Sequence, residues 1–151
     1  MDYIERYRKI VDEFVKKDFP SLRGKKIIIK EEKAKWRAHV NYYPWGMRLY
    51  VSEKLRKFPL KSVKRIIFHE LCHLEIFKEQ GLIKTNVLYL LYMLSPKIRK
   101  KVEAEANILM IKKGHWKEVM TARKGNIKRG LDYALTEKEI KHYMKKFKVS
   151  N

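Results

Sequence analysis

The residues best suited to chemistry are His69, Glu70 and His73, the His-Glu-x-x-His set within Phe68-His69-Glu70-Leu71-Cys72-His73-Leu74. On a helix, four residues make slightly more than one turn at ~3.6 residues per turn, so His69 and His73 project from one face, one above the other. Two imidazoles so placed can hold one zinc ion (Zn2+) with a position left for water. Glu70, turned roughly 100° from His69, can lean over that water as a general base. This is a geometry for metal-assisted hydrolysis. The competing reading is a pair of histidines that merely pack or hydrogen-bond on a half-buried helix.

The surrounding residues decide in favour of a helix. Val63, Ile66, Ile67, Leu71, Leu74 and Phe77 recur at helical intervals through the motif, Pro59 lies just upstream, and Gly81 follows the last periodic residue as a stop. Cys72, the sole cysteine, is adjacent to His73 and so turned about 100° from it, which predicts a buried packing thiol rather than a ligand.

A zinc site of this kind needs a third protein ligand. The stretch Val102-Glu103-Ala104-Glu105-Ala106-Asn107 begins about thirty residues after His73. Together, His69-Glu70-x-x-His73 and Glu103-x-x-Ala106-Asn107 resemble the zincin metallopeptidases whose third ligand is a glutamate on a later helix. The likeness implies that Glu103 binds the metal, that Ala106 permits close helix packing, and that Asn107 buttresses a ligand histidine. The Glu-x-Glu-Ala-Asn pattern is similar to the ImmA/IrrE-type intracellular proteases, and residues 47–74 resemble the minimal domain of the SprT-like proteins. The implied activity is that of a zinc metallopeptidase cleaving protein or peptide substrates through a water on the metal. Glu105 is the nearest rival, but i and i+2 face different ways on a helix, and Asn107 shares the face of Glu103. SprT-like proteins use a third histidine soon after the motif; here none lies between Glu75 and His115, and His115 follows Gly114, a helix end.

A chain of 151 residues fits one domain, read as a single zincin-like unit over residues 1–151, and can bury a modest core. Met1-Asp2-Tyr3-Ile4-Glu5-Arg6 is charged from the start, which argues against a secretory signal, and a lone cysteine suits a reducing, cytoplasmic setting. The formal charge is +20 and uneven: residues 1–61 carry 17 basic and 8 acidic side chains, 62–95 carry 4 and 3, and 96–151 carry 16 and 6. The motif is nearly neutral and its flanks are basic. Such a balance favours acidic partners: nucleic acid, an anionic membrane surface or acidic proteins. An alternative to the peptidase is therefore a basic nucleic-acid-binding protein whose metal site is structural or vestigial.

The elements that must position these residues follow in chain order. Asp2 to Lys17 reads as an amphipathic helix with a capping box from Asp2 and Glu5. Lys25 to Lys30 reads as a short buried strand. Trp36, Ala38 and Val40 alternate with polar residues, Tyr43-Pro44-Trp45-Gly46 supplies a turn, and Met47, Leu49 and Val51 alternate again, predicting a hairpin. By the zincin likeness, Met47 to Val51 would be an edge strand that pairs with extended substrate. Thr85 to Pro96 is uncharged but too short for the ~20 residues needed to cross a bilayer, and is expected to be a buried helix behind the site. Ser95-Pro96 opens a helix through Glu103 and Asn107 to Lys113, Trp116 to about Gly125 reads as a short helix, and 126–130 as a basic loop. Thr136 and Glu139 form a capping box before a last amphipathic helix. The expected fold is α+β, a short, mostly antiparallel sheet packed on helices that carry the metal site.

Overall fold

Apolar residues at helical spacing between Pro59 and Gly81 produce the longest helix of the protein, α2 (Leu60–Gln80), which eleven buried side chains make the core of its surroundings. The computed structural model describes residues 2–128 and 134–149, and these fall into two compact units, one running to residue 85 and the other beginning at residue 86. The α+β class expected from the sequence is the one observed.

In the first unit, α1 (Tyr3–Lys17) starts where the Asp2 carboxylate accepts the Ile4 N–H at 3.1 Å. Glu5, expected to close a capping box with Asp2, instead pairs with Lys9 at 3.2 Å, one turn on. Three strands follow: β1 (Ile27–Glu32), β2 (Ala38–Tyr43) and β3 (Gly46–Ser52). The β2–β3 hairpin turns through Pro44 and Trp45, with Tyr43 opposite Gly46. Gly46 has φ +148°, a region essentially reserved for glycine, and a Cβ there would sit 3.4 Å from the Lys26 carbonyl oxygen.

The sheet order is β1-β3-β2, with β1 parallel and β2 antiparallel to β3. The sheet is thus mixed, and β3 is its central strand. This corrects the expectation that Met47 to Val51 forms an edge for an added substrate strand: β1 occupies one side of β3 and β2 the other, so its backbone groups are committed on both flanks. Ile29, Val40, Met47, Leu49 and Val51 are buried on one sheet face, against which α1 and α2 pack. Trp36, placed in β2 by its alternation, precedes the strand and is exposed.

The grip on α2 is aromatic. Phe68, one residue before the first histidine, meets Phe14 of α1 edge-on at 5.0 Å and Phe19 at 4.9 Å. At the far end, Gly81 takes φ +80°, its N–H bonds the Phe77 carbonyl at 3.1 Å, and the buried Thr85 hydroxyl donates to the same carbonyl at 3.0 Å. α3 (Leu82–Leu94) follows at once.

In the second unit, α4 (Pro96–Lys112), α5 (Trp116–Lys128) and α6 (Glu137–Lys146) pack pairwise on one another. Ser95 caps α4 by accepting the Ile98 N–H, with Pro96 in the first turn, and α6 opens on the expected reciprocal Thr136–Glu139 capping box. α5 passes through Gly125 and ends at Lys128, beyond the stop that the glycine predicts. One glycine in a helix interior costs only about 1 kcal/mol and is overridden by packing. Of the basic loop expected over 126–130, residues 126–128 are helical and the remainder lies outside the described residues.

The expectation of a buried α3 is corrected. Only Thr85 of this helix is buried, while Ile83, Val87, Leu90, Leu91, Met93 and Leu94 are exposed. Apolar residues from Val87 onward lie on several sides of α3, so packing one side leaves the others pointing outward.

Phe68→Ala is expected to lower the unfolding free energy by about 3–5 kcal/mol through the cavity left between Phe14 and Phe19. Leu60→Ala, exposed on the same helix, should change it by less than about 0.5 kcal/mol. Urea denaturation followed by circular dichroism measures both.

Candidate metal centre

His69 and His73 sit mid-helix on α2, flanked by the buried Phe68, Leu71, Cys72 and Leu74, so the backbone beneath them is fixed by packing on either side. Their Nε2 atoms lie 3.2 Å apart and their rings are nearly perpendicular, at 87° with centroids 4.8 Å apart. Phe77, one turn beyond His73, stacks on its ring at 5.8 Å and 27° and sets its orientation. Two nitrogens each about 2.0–2.1 Å from a tetrahedral zinc stand about 3.3 Å apart, which the observed separation matches closely. A proton shared between two imidazoles would give a similar distance. A third donor separates the two readings.

That donor is a carboxylate. Among the described residues, His69, His73 and Glu103 form a group in which one ligand atom from each lies within 4.8 Å of the others. Two imidazole nitrogens and one carboxylate oxygen are the donor set of an open catalytic zinc site, so the side chains present fit the ion. Glu105 and His115, the rivals weighed from sequence, are not members of the group. His115 instead follows Gly114 (φ +87°), where its N–H bonds the Met110 carbonyl at 2.9 Å to close α4, and its Nδ1 lies 3.9 Å from Glu118. Cys72 is fully buried, as its place on the helix predicts.

Glu103 lies two turns into α4, and its orientation is fixed from α3. The Tyr92 hydroxyl donates to Glu103 Oε1 at 3.0 Å, and the Arg99 guanidinium sits 5.4 Å over the Tyr92 ring. A hydroxyl on a ligand carboxylate holds its rotamer and tunes its basicity. Sequence reasoning misses Tyr92, which falls within an apolar run. Its partner is eleven residues away across a helix corner, and no local periodicity marks such a pair. Asn107, implied by resemblance to buttress a histidine, is buried and donates its Nδ2 to the Glu103 carbonyl at 2.8 Å, bonding the turn that carries Glu103. Glu70 is buried beside His69.

The chain matches no family model, no curated protein and no solved structure.

A second cluster of functional types lies on the other sheet face. His39 stacks flat on Tyr50 at 4.6 Å, with Trp36 edge-on to His39 at 5.3 Å. Burial lowers the His39 pKa, with the neighbouring Glu32 carboxylate opposing that shift. Arg48 sits 4.9 Å over the Tyr43 ring and donates to the Tyr50 hydroxyl, a bond that holds the phenol below its usual range. Tyr43 stacks in turn on Trp45 at 5.3 Å.

Competition titration of zinc against a chromogenic chelator tests the ligand set. Glu103→Ala should weaken binding by more than about 100-fold and Tyr92→Phe by about 10-fold, whereas Glu105→Ala should leave it unchanged.

Proposed function

We propose that this protein is a zinc-dependent metallopeptidase of the zincin kind, with His69, His73 and Glu103 as metal ligands and Glu70 as general base. The observation that carries the reading is the convergence of three ligand atoms within 4.8 Å, beside a buried glutamate that directly follows the first ligand histidine. A purely structural site would be expected to close with four protein ligands, and this group has three among the described residues.

His69, His73 and Glu103 would hold the zinc ion, which when bound would supply Lewis acidity to the attacking water and the scissile carbonyl. The work of the chain's own residues is then specific. Glu70 takes the proton from the attacking water and delivers it to the departing amine, so a single carboxylate acts first as base and then as acid. Its side chain is buried, which supports a role inside the site rather than in bulk solvent. Tyr92 fixes the Glu103 carboxylate, and Phe77 keeps the His73 ring from rotating. The resemblance to ImmA/IrrE-type and SprT-like proteins supports proteins or peptides as the substrate class.

Glu70→Gln keeps the size and burial of the side chain but cannot accept a proton. It should retain one zinc per chain by elemental analysis and lower hydrolysis of fluorogenic casein by about 10²–10⁴-fold. Wild-type turnover in this variant would exclude the mechanism.

A second reading, single-stranded nucleic-acid binding, is favoured by the stacked face of Trp36, His39, Tyr43, Trp45, Arg48 and Tyr50. Aromatic rings interleaved with a guanidinium offer π-faces to bases and a cation to phosphate, and Trp45 is 69% exposed. An oligothymidine titration should show affinity falling steeply with salt, and Trp45→Ala should weaken binding by about 5–100-fold. An unchanged affinity in Trp45→Ala would remove this face from the reading and leave only non-specific charge.

A further inference from the structure

Among the described residues, twelve large hydrophobic side chains are exposed, and seven of them belong to α3. Ile83, Val87, Leu90 and Leu94 follow the i, i+4, i+7, i+11 spacing of one helical stripe, with Leu91 and Met93 on its two borders. Ile83 is 85% and Leu94 73% exposed, and a contiguous apolar stripe, unlike scattered surface leucines, marks an interaction surface. The opposite side of the same helix carries the buried Thr85 and the half-buried Leu88 and Tyr92. α3 is therefore amphipathic in an unusual sense: its inner side packs in part, and its outer side is the more apolar.

Charge narrows the choice of occupant. No acidic residue occurs between Glu79 and Glu103, while Lys84 at one end of the stripe and Lys97, Arg99, Lys100 and Lys101 past the other are all exposed. A second copy laid antiparallel on α3 would bring Lys84 of one chain against the 97–101 cations of the other, in a protein already at +20. A layer that is apolar beneath and negatively charged at its surface satisfies both features at once. Tyr89, also exposed, suits the boundary between them. Thirteen residues at ~1.5 Å rise span about 20 Å, short of the ~30 Å bilayer core, and no helix among the described residues is long and apolar enough to cross a membrane. The helix can lie in such a layer but not traverse it.

We propose that α3 docks the protein on anionic lipid bilayers, its Ile83–Leu94 stripe seated at the level of the acyl chains and the basic residues at 84 and 97–101 among the headgroups. Binding of this kind needs both parts, since apolar area and attraction to anionic lipid add.

Flotation of the full chain with vesicles tests this directly, comparing phosphatidylcholine alone with phosphatidylcholine–phosphatidylserine mixtures at physiological salt. The wild type should partition about tenfold more strongly to the serine-containing vesicles. Val87→Asp with Leu90→Asp should reduce that partitioning by about tenfold, and Lys97→Glu with Lys101→Glu should abolish the preference for anionic lipid. Because the substituted residues are exposed, circular dichroism should show native helix content in each variant. Leu90→Trp serves if the aspartate variants fail to fold: its added fluorescence should be quenched by brominated phosphatidylcholine in anionic vesicles. Absence of vesicle binding, aspartate variants that float like the wild type, or added indole fluorescence in Leu90→Trp that the brominated lipid leaves unquenched would each overturn the proposal. A dimer seen by sedimentation velocity that Leu90→Asp dissolves, without lipid binding, would assign the stripe to a second copy instead.

Discussion

Two imidazole nitrogens 3.2 Å apart on a buried helix are the constraint on which the rest of the arrangement turns. That separation depends on how the helix holds the two rings. α2 imposes it with side chains that do no chemistry. Phe68 is held by Phe14 and Phe19 on one side of the helix, and Phe77 stacks on His73 on the ligand side. The carbonyl of Phe77 is bonded twice, by the Gly81 N–H and the Thr85 hydroxyl, so the last turn carrying that ring cannot fray. Rigidity of this kind is what pre-organised ligation requires, because the entropy of fixing the side chains is met in folding rather than when the ion arrives.

Much of this is legible in the sequence because it is local. The α2 periodicity, the Ser95-Pro96 start, the Thr136–Glu139 box and the Tyr43–Gly46 hairpin are each written within a few residues, and each forms where expected. Helix geometry lets only one of Glu103 and Glu105 face the histidines; the zincin resemblance and Asn107 on the same face favour Glu103, and it is Glu103 that groups with them. What the sequence hides is non-local. The parallel pairing of Ile27–Glu32 with Met47–Ser52 joins strands separated by β2, and no alternation pattern reveals that a strand has a neighbour on both sides. For that reason β3 reads as an edge and is the centre. Tyr92 is hidden in the same way, as one aromatic in an uncharged run whose partner lies across a corner.

The departure at α3 has a different origin. Lack of charge predicts burial only on average, because the hydrophobic effect constrains the total apolar area that leaves water, not which segment supplies it. Residues 82–94 have too little one-sidedness for a pattern argument to assign an inward face. The helix buries Thr85 and leaves Ile83, Leu90 and Leu94 out, which inverts the usual correspondence between polarity and exposure. Contiguous exposed apolar surface of this kind is what interaction sites present.

The two sides of α3 bring together what the sequence keeps apart. Its inner side ends in the Tyr92 hydroxyl that orients Glu103, and its outer side carries the apolar stripe. Arg99, over the Tyr92 ring, belongs to the same basic run that would meet an anionic layer. α3 is only thirteen residues long. Leu90 and Leu94 on its outer side therefore lie within one turn of Tyr92 on its inner side. The hydroxyl that bonds Glu103 and the exposed apolar surface are carried by the same helix, because one uncharged run of sequence supplies both.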